Sequence, residues 1–301
     1  MDALRFDDRV AVITGAGRGL GRDYALLLGA RGARVVVNDI GGSMTGEGSD
    51  AGPAQQVVDE IEAAGGAAVA CTDSVGTPQG ARAIVQAALD TYGRVDILIH
   101  NAGNVRRSPL TEMSDEDFNA VVDVHMMGGY HTVRAAFPHM AKAQYGRIVM
   151  TSSIAGLYGN DGTVNYSMSK AAMLGLIRVA AIEGASVGIK ANAILPAAVT
   201  RMSEGIDISQ FPPMEPDLVA PVVAWLCHES CQQSGDLMVS AAGRVARAYV
   251  AETKGVFRPS WTIEQVAEDL DKITDNSEPQ YFGLGMFDHL GYSFAMAKAN
   301  A

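Results

Sequence analysis

The chain has 301 residues, 48% apolar and 19% charged, proportions that exclude disorder as its main state. Its 23 basic and 34 acidic side chains leave a net charge of −11, which opposes sequence-independent nucleic-acid binding, because that needs Lys and Arg against phosphates. Glycine is the skew at 33 residues, roughly 11% against about 7% expected, and suits many tight strand-to-helix turns.

Apolar runs then alternate with stretches of helical period, the pattern of a parallel sheet covered by helices. The first strand is expected at Val10–Thr14, followed by a glycine-rich turn and a helix to about Ala30. Arg34–Asp39 reads as the second strand, and the small, polar stretch 40–53 as a surface loop before a helix at Ala54–Ala64. Ala67–Cys71 is the expected third strand, Pro78–Tyr92 a helix, and Asp96–His100 the fourth strand. Helical material follows from about Asp115 to Lys142, then a strand at Arg147–Ser152, a helix at Asn165–Val187 and a strand at Ile189–Leu195. The stretch 197–215, with Pro212 and Pro213, suits a mobile lid over a ligand. A helix at Pro216–Glu229 and a short strand at Leu237–Ser240 close the pattern. The expectation is one doubly wound α/β domain over 1–241, with 242–301 as an extension packed on the same domain. That extension holds one expected helix, Thr262–Ile273, behind a threonine N-cap, and a weakly patterned tail.

No charged-then-apolar leader precedes Val10, and no apolar run approaches the roughly 20 residues of a spanning helix, so no membrane role is expected. The chain ends Ala-Lys-Ala-Asn-Ala, which is neither a peroxisomal nor a lumenal address. Cys71, Cys227 and Cys231 cannot all pair within one chain, and a reducing cytoplasm is the expected compartment. Cys227-His228-x-x-Cys231 lacks a partner cluster and makes a poor tetrahedral site; no metal is expected.

Thr14-Gly-Ala-Gly-Arg-Gly-Leu-Gly21 lies between the first strand and its helix. Glycines there let backbone N–H groups approach a pyrophosphate that the helix N-terminus then stabilises. Asp39 ends the second strand, where a carboxylate accepts hydrogen bonds from ribose hydroxyls and repels a 2′-phosphate, selecting NAD over NADP. Arg18 inside the glycine loop pulls the other way, but a phosphate beside a carboxylate is the costlier arrangement.

Tyr166 and Lys170 are four apart on an expected helix and so share a face. A tyrosine titrates near pH 10, and a nearby ammonium is expected to lower that value toward the working range of a base. Ser153, at the end of the fifth strand, can hydrogen-bond the reacting oxygen.

The spacing Gly15, Gly19, Gly21, then Asn101-Ala102-Gly103, Ser153 and Tyr166-x-x-x-Lys170, resembles the short-chain dehydrogenase/reductase family and its Rossmann-type fold. The resemblance implies a catalytic set of Ser153, Tyr166 and Lys170, with Lys170 also holding the nicotinamide ribose. It implies cofactor contacts from Gly15, Arg18, Gly19, Leu20, Gly21, Asp39, Asp73, Ser74, Val75, Asn101, Ala102, Gly103, Val124, Tyr166, Lys170, Pro196 and Val199. Two departures stand out. His125 occupies the place where the family often carries a catalytic Asn, and is either a relay partner of Lys170 or a buried histidine. Pro196-Ala197 stands where Pro-Gly is usual, which makes the turn less permissive.

Longer strings narrow the likeness: Val-Val-Asn-Asp39, Tyr145-Gly-Arg-Ile148, Tyr158-Gly-Asn160, Asn165-Tyr-Ser167 and Trp225-Leu-Cys-His-Glu-Ser-Cys231. They resemble the (3R)-hydroxyacyl-CoA dehydrogenase units of peroxisomal multifunctional enzymes, without the hydratase and sterol-carrier domains. The resemblance implies an NAD-dependent oxidoreductase acting on a 3-hydroxyacyl-CoA thioester or a steroid side chain, with Arg106 and Arg107 as candidates for CoA phosphates. Open alternatives are a hydroxysteroid dehydrogenase of ring alcohols, an NADPH-dependent ketoacyl reductase, and a nucleotide-sensing regulator without turnover. Small residues on the two long helices, among them Ala135, Ala136, Ala171, Ala172, Gly175 and Ala180, point to a homodimer, with a tetramer as the other outcome.

Overall fold

The computed structural model describes residues 3–200 and 209–299. It divides into two compact units, Met1–Arg247 and Ala248–Ala301. In the first unit the strands are β1 (Val10–Thr14), β2 (Arg34–Asn38), β3 (Ala67–Cys71), β4 (Ile97–His100), β5 (Gly146–Thr151), β6 (Ile189–Ala197), β7 (Leu237–Ala241) and β8 (Arg244–Ala248). They form one sheet in the order β3-β2-β1-β4-β5-β6-β7-β8, with β1 to β7 paired in parallel. The connection between β3 and β4 crosses over β2 and β1, so the order reverses between β1 and β4. Ligands bind doubly wound sheets at that point, beyond the carboxyl ends of the strands. Register brings those ends level: Thr14 pairs with both Asn38 and His100, and His100 with Met150.

The helices are α1 (Gly19–Ala30), α2 (Gly52–Ala63), α3 (Pro78–Tyr92), α4 (Asp115–Val122), α5 (Gly128–Ala143), α6 (Ala155–Tyr158), α7 (Val164–Gly184) and α8 (Ala220–Cys227). On one sheet face Ala11, Ile13, Val35, Val37, Ile97 and Ile99 join Tyr24 and Leu28 of α1, Val57 and Ile61 of α2, and Val223 and Leu226 of α8 in one buried core. Alternate residues of the same strands, such as Val12, Val36 and Leu98, are fully buried on the other face, where α3, α5 and α7 pack. Burial on both faces explains why these strands read as continuous apolar runs. Local signals set the ends. Thr77 caps α3 by accepting from the Gly80 N–H, Pro78 opens the helix, and Gly93 at φ +76° closes it.

Five expectations need correction. The helix expected over 115–142 contains a π-helical turn at Asp123–Met127, between α4 and α5, which re-aims Val124 and His125. The helix expected at Pro216–Glu229 starts as a 3-10 turn, Pro216–Leu218, and ends at Cys227. An eighth strand, β8, follows β7 through Ala242 and Gly243, at φ 48° and 76°, a type I′ pair that usually carries Asn-Gly. The second unit contains α9 (Ile263–Glu268), α10 (Leu270–Ile273) and α11 (Phe287–Ala299). Thr262 and Gln265 cap α9 reciprocally, but the helix expected through Ile273 bends at Asp269, whose buried carboxylate takes Arg258 and Lys272. The tail read as weakly patterned forms α11.

Candidate active site

A cleft of about 250 Å³ opens beyond the carboxyl ends of β1, β2, β4 and β5. At its first end the glycine loop is set by backbone contact. Gly15 adopts φ +62° and sits so close to the β4 loop that a Cβ would lie 2.7 Å from the Ala102 Cα. Its carbonyl accepts from the Asn101 side-chain amide at 3.0 Å. A Cβ on Gly21 would overlap that same carbonyl oxygen and stand 2.6 Å from Asn101 Nδ2. The first turn of α1 is therefore seated on the loop, with its unpaired N–H groups facing the cleft. Thr14 Oγ1 accepts from the Asn101 and Ala102 N–H groups, each at 3.1 Å, and fixes the Asn101–Gly103 loop opposite.

Asp39 follows β2. One carboxylate oxygen accepts from the Gly17 N–H at 2.8 Å and the other from the Gly41 N–H at 2.7 Å. Each oxygen keeps lone pairs for a further donor. The buried Asn38 side chain donates to the Cys71 and Asp73 carbonyls at 3.0 and 2.9 Å, which places Asp73, Ser74 and Val75 on the wall. The segment expected to be a plain surface loop instead bends over the cleft. Val105 N–H donates to the Met44 carbonyl at 3.1 Å, and Ser43, Met44 and Gly46 join the lining. Arg106 holds this strap: its guanidinium donates to the Thr45 carbonyl at 3.1 Å and to Asp117 at 2.8 Å. That engagement occupies Arg106, one of the two candidates for CoA phosphates, within the protein. Arg107 is exposed.

The second end is built from buried side chains on β5, α7 and the π turn. Lys170 is 3% exposed and donates to the Thr151 carbonyl at 2.5 Å, while Ser152 Oγ donates to the Lys170 carbonyl at 2.8 Å. These two bonds latch α7 to the end of β5. Burial lowers the Lys170 ammonium to about 7. Its Nζ lies 5.3 Å from the Tyr166 ring centroid, and the His125 ring meets Tyr166 edge-to-face at 5.2 Å. Ser153 is buried beside them, its Oγ accepting from the Ala155 N–H at 3.1 Å.

The protonation states differ from those expected. Burial pushes the Tyr166 phenol up, against the pull of the Ser153 hydroxyl and the Arg107 charge. In the protein alone desolvation outweighs the attraction of nearby cations, which corrects the expected lowering by Lys170. His125 is fully buried, with Nε2 at 2.8 Å from the Asn104 carbonyl and Nδ1 without a partner. Burial, and then the Lys170 charge, hold it well below its ordinary value, and the same causes press His100 to about 3. Both imidazoles are neutral at working pH.

Of the expected contacts, Gly15, Arg18, Gly19, Leu20, Asp39, Asp73, Ser74, Val75, Asn101, Ala102, Gly103, Val124, His125, Tyr166, Lys170 and Pro196 line the one cleft. Gly21 supports it from behind. Ser153 stands next to the lining residue Ser152. Val199 donates to the Met214 carbonyl at 2.7 Å, while its neighbours Ala198 and Thr200 face the cleft. Residues 201–208 of the expected lid lie outside the described residues. Sequence reasoning missed Asn104 and Asn165, two buried amides. Asn165 donates to the Arg106 and Asp117 carbonyls, each at 3.1 Å, and accepts from the Tyr166 N–H at 2.7 Å. The adjacency to Tyr166 was the available signal.

Known proteins share this arrangement. A family model described as short chain dehydrogenase matches residues 9–208. The chain is 49% identical over 287 residues to the peroxisomal multifunctional enzyme type 2 of Drosophila melanogaster, covering 93% of this chain and 47% of that enzyme. It is 44% identical over 283 residues to a short-chain type dehydrogenase/reductase of Mycobacterium tuberculosis, covering 92% and 98%. The solved full-length structure of the fly enzyme superposes with a TM-score of 0.82 at 41% identity, over 98% of this chain and 50% of that one. The chain thus spans about half the length of the fly enzyme.

Proposed function

The chain belongs to the short-chain dehydrogenase family, and from that premise we propose that it oxidises (3R)-3-hydroxyacyl-CoA thioesters with NAD. It is an oxidoreductase of CH–OH groups that uses a nicotinamide cofactor. The observation that carries the finer reading is the single cleft joining Asp39 to Tyr166 and Lys170. The residues fit a dinucleotide, because the approach of α1 onto Gly15 leaves helix N–H groups facing the cleft and Asp39 oxygens with spare lone pairs. A 2′-phosphate would meet that carboxylate. Arg18, exposed on the lining and without an ion pair among the described residues, favours the NADP reading, and titration of both cofactors separates them.

A nicotinamide dinucleotide held by the Gly15–Gly21 loop and Asp39 would supply the acceptor for the hydride of the carbinol carbon. The protein's share is proton handling and alignment. Tyr166 takes the hydroxyl proton only in its deprotonated form. The raised phenol of the protein alone makes that form scarce at neutral pH, and it grows as pH rises. Ser153 Oγ has its lone pair engaged by the Ala155 N–H and directs its own proton to the reacting oxygen. Lys170, poised near 7, stands beside the Tyr166 ring, and neutral His125 braces the ring. An NAD-coupled screen of 3-hydroxyacyl-CoAs against steroid ring alcohols tests the reading. Oxidation of the thioesters is expected, and oxidation of ring alcohols alone contradicts it.

Assembly and location belong to the same proposal. Ala136 and Ala180 pack inward, but α7 leaves Met168, Ala171, Gly175, Val179 and Ile182 exposed, a face suited to a two-fold partner. Light scattering is expected to give a dimer; a monomer at micromolar concentration removes the interface. Three buried free thiols suit a reducing cytoplasm, and among the described residues no helix is long and apolar enough to cross a membrane.

A further inference from the structure

The strap at residues 40–50 has an architecture of its own. At its neck the Asp50 N–H donates to the Ile40 carbonyl at 2.8 Å, and a Cβ on Gly41, at φ +70°, would overlap the Asp50 carbonyl. Nearer the tip, the Ser43 N–H donates to the Glu47 carbonyl at 2.8 Å and the Glu47 N–H to Ser43 Oγ at 3.1 Å. A loop with close ends and its own internal bonds is braced to move as a unit.

Its neck and tip meet the two ends of the cleft. The neck stands on Asp39, whose carboxylate accepts from the Gly41 N–H. The tip rests on 104–106: the Met44 carbonyl accepts from the Val105 N–H, and a Cβ on Gly46 would stand 2.7 Å from Asn104 Nδ2. Arg106 fastens it. This partly buried guanidinium joins the Thr45 carbonyl and, at 3.6 Å, Glu47 of the strap to Asp117 of α4. Asn165 in turn donates to the Arg106 and Asp117 carbonyls, so the fastening is anchored beside Tyr166.

We propose that the strap is a clasp over the bound dinucleotide and that Arg106 is its latch, an inference that rests on the dinucleotide reading of the cleft. Arg106 is then a positioning residue that sets how fast cofactor enters and leaves. A dinucleotide running from Asp39 to Tyr166 and Lys170 follows the same span as the strap. With the strap latched the cleft measures about 250 Å³, below the roughly 300–1,000 Å³ of ordinary ligand pockets. A dinucleotide is a large ligand, so part of the wall has to move for exchange. Walls carried by β1, β5 and α7 are packed on the sheet, whereas polar bonds near the surface hold the strap tip. A guanidinium fork shared between a carbonyl and two carboxylates makes that closure firm but reversible.

Stopped-flow fluorescence with NADH, and with NADPH in parallel, compares wild type, Arg106→Met and Arg106→Lys. Arg106→Met is expected to speed dinucleotide dissociation about 10–100-fold, the worth of the charge-assisted bonds it removes, and to speed association as well. Arg106→Lys keeps the charge without the fork; it is expected to fall between, and it carries the comparison if Arg106→Met fails to fold. Hydrogen exchange without dinucleotide is the second readout. The Val105 amide, bonded to the strap tip, is expected to exchange faster in both variants, while the Asp50 amide at the neck keeps its wild-type rate. Unchanged dissociation, slower association, or equal acceleration at Val105 and Asp50 overturns the latch; the last two mark a damaged site or a loosened domain. A wild type that binds only NADPH contradicts the NAD reading, and the latch is then judged on the NADPH rates. A wild type that binds neither dinucleotide contradicts the dinucleotide reading and the latch with it.

Discussion

At the β1–β2 end of the cleft the working groups are main-chain atoms. Gly17 and Gly41 N–H groups hold the two Asp39 oxygens, and α1 approaches Gly15 so closely that Gly21 has no room for a Cβ. At the β5–α7 end they are side chains: Ser153, Tyr166 and Lys170, buried or half-buried, two of them with shifted protonation. The first end recognises by shape and fixed dipoles, so added volume damages it. The second works by desolvated acid–base groups, so a changed charge damages it and added volume matters less.

The shape claim makes the largest prediction. Gly21→Ala is expected to abolish cofactor binding and to destabilise the fold by about 1–3 kcal/mol, because the new methyl overlaps the Gly15 carbonyl. Calorimetric titration with NAD and a denaturant midpoint check both; retained affinity would mean that the helix approach is looser than described.

The charge claim predicts a pH signature. Lys170 falls from an ordinary 10.5 to about 7 in the folded protein. Below 7 the ammonium is charged in both states and its burial penalty is fully present. Between about 7 and 10.5 the unfolded chain binds the extra proton, so this group adds stability as pH rises, up to ~1.4 kcal/mol per pH unit. Lys170→Met is expected to lose that rise. Denaturant unfolding of both proteins at pH 6, 7.5 and 9 measures it; parallel profiles would show that burial does not govern Lys170.

The smallest effect is one of selectivity. Asp39→Ala is expected to leave the fold intact and to narrow the preference for NAD over NADP by ~10-fold or more, the worth of one near-surface charge interaction. Paired titrations decide it, and an unchanged ratio transfers cofactor choice to Arg18.

The sheet was legible because both-face burial writes apolar runs into the sequence, and β1 to β7 fall within two residues of where those runs end. Gly15, Gly19 and Gly21 announced the loop, and Tyr166 with Lys170 announced a shared helical face. Features that depend on distant partners were not legible. Nothing local distinguishes Arg106 from Arg107 until Asp117, eleven residues on, takes one of them. The strap over 40–50 reads as a loop until Val105 and Arg106 bind it. The strand β8 hides behind Ala242, which lacks the usual turn chemistry, and the π turn at Asp123–Met127 has no composition of its own. The direction of the Tyr166 shift depends on how deeply the ring is desolvated, a property of the packed cleft.

The two-ended cleft is tested most directly by one variant measured twice. Tyr166→Phe removes the proton acceptor and leaves the glycine loop and Asp39 untouched. Turnover of (3R)-3-hydroxybutyryl-CoA is expected to fall about 10²–10⁴-fold, the worth of a positioned general base, while NAD affinity stays within a few-fold. Turnover that survives the substitution, or NAD affinity that collapses with it, would contradict the division of labour between the two ends.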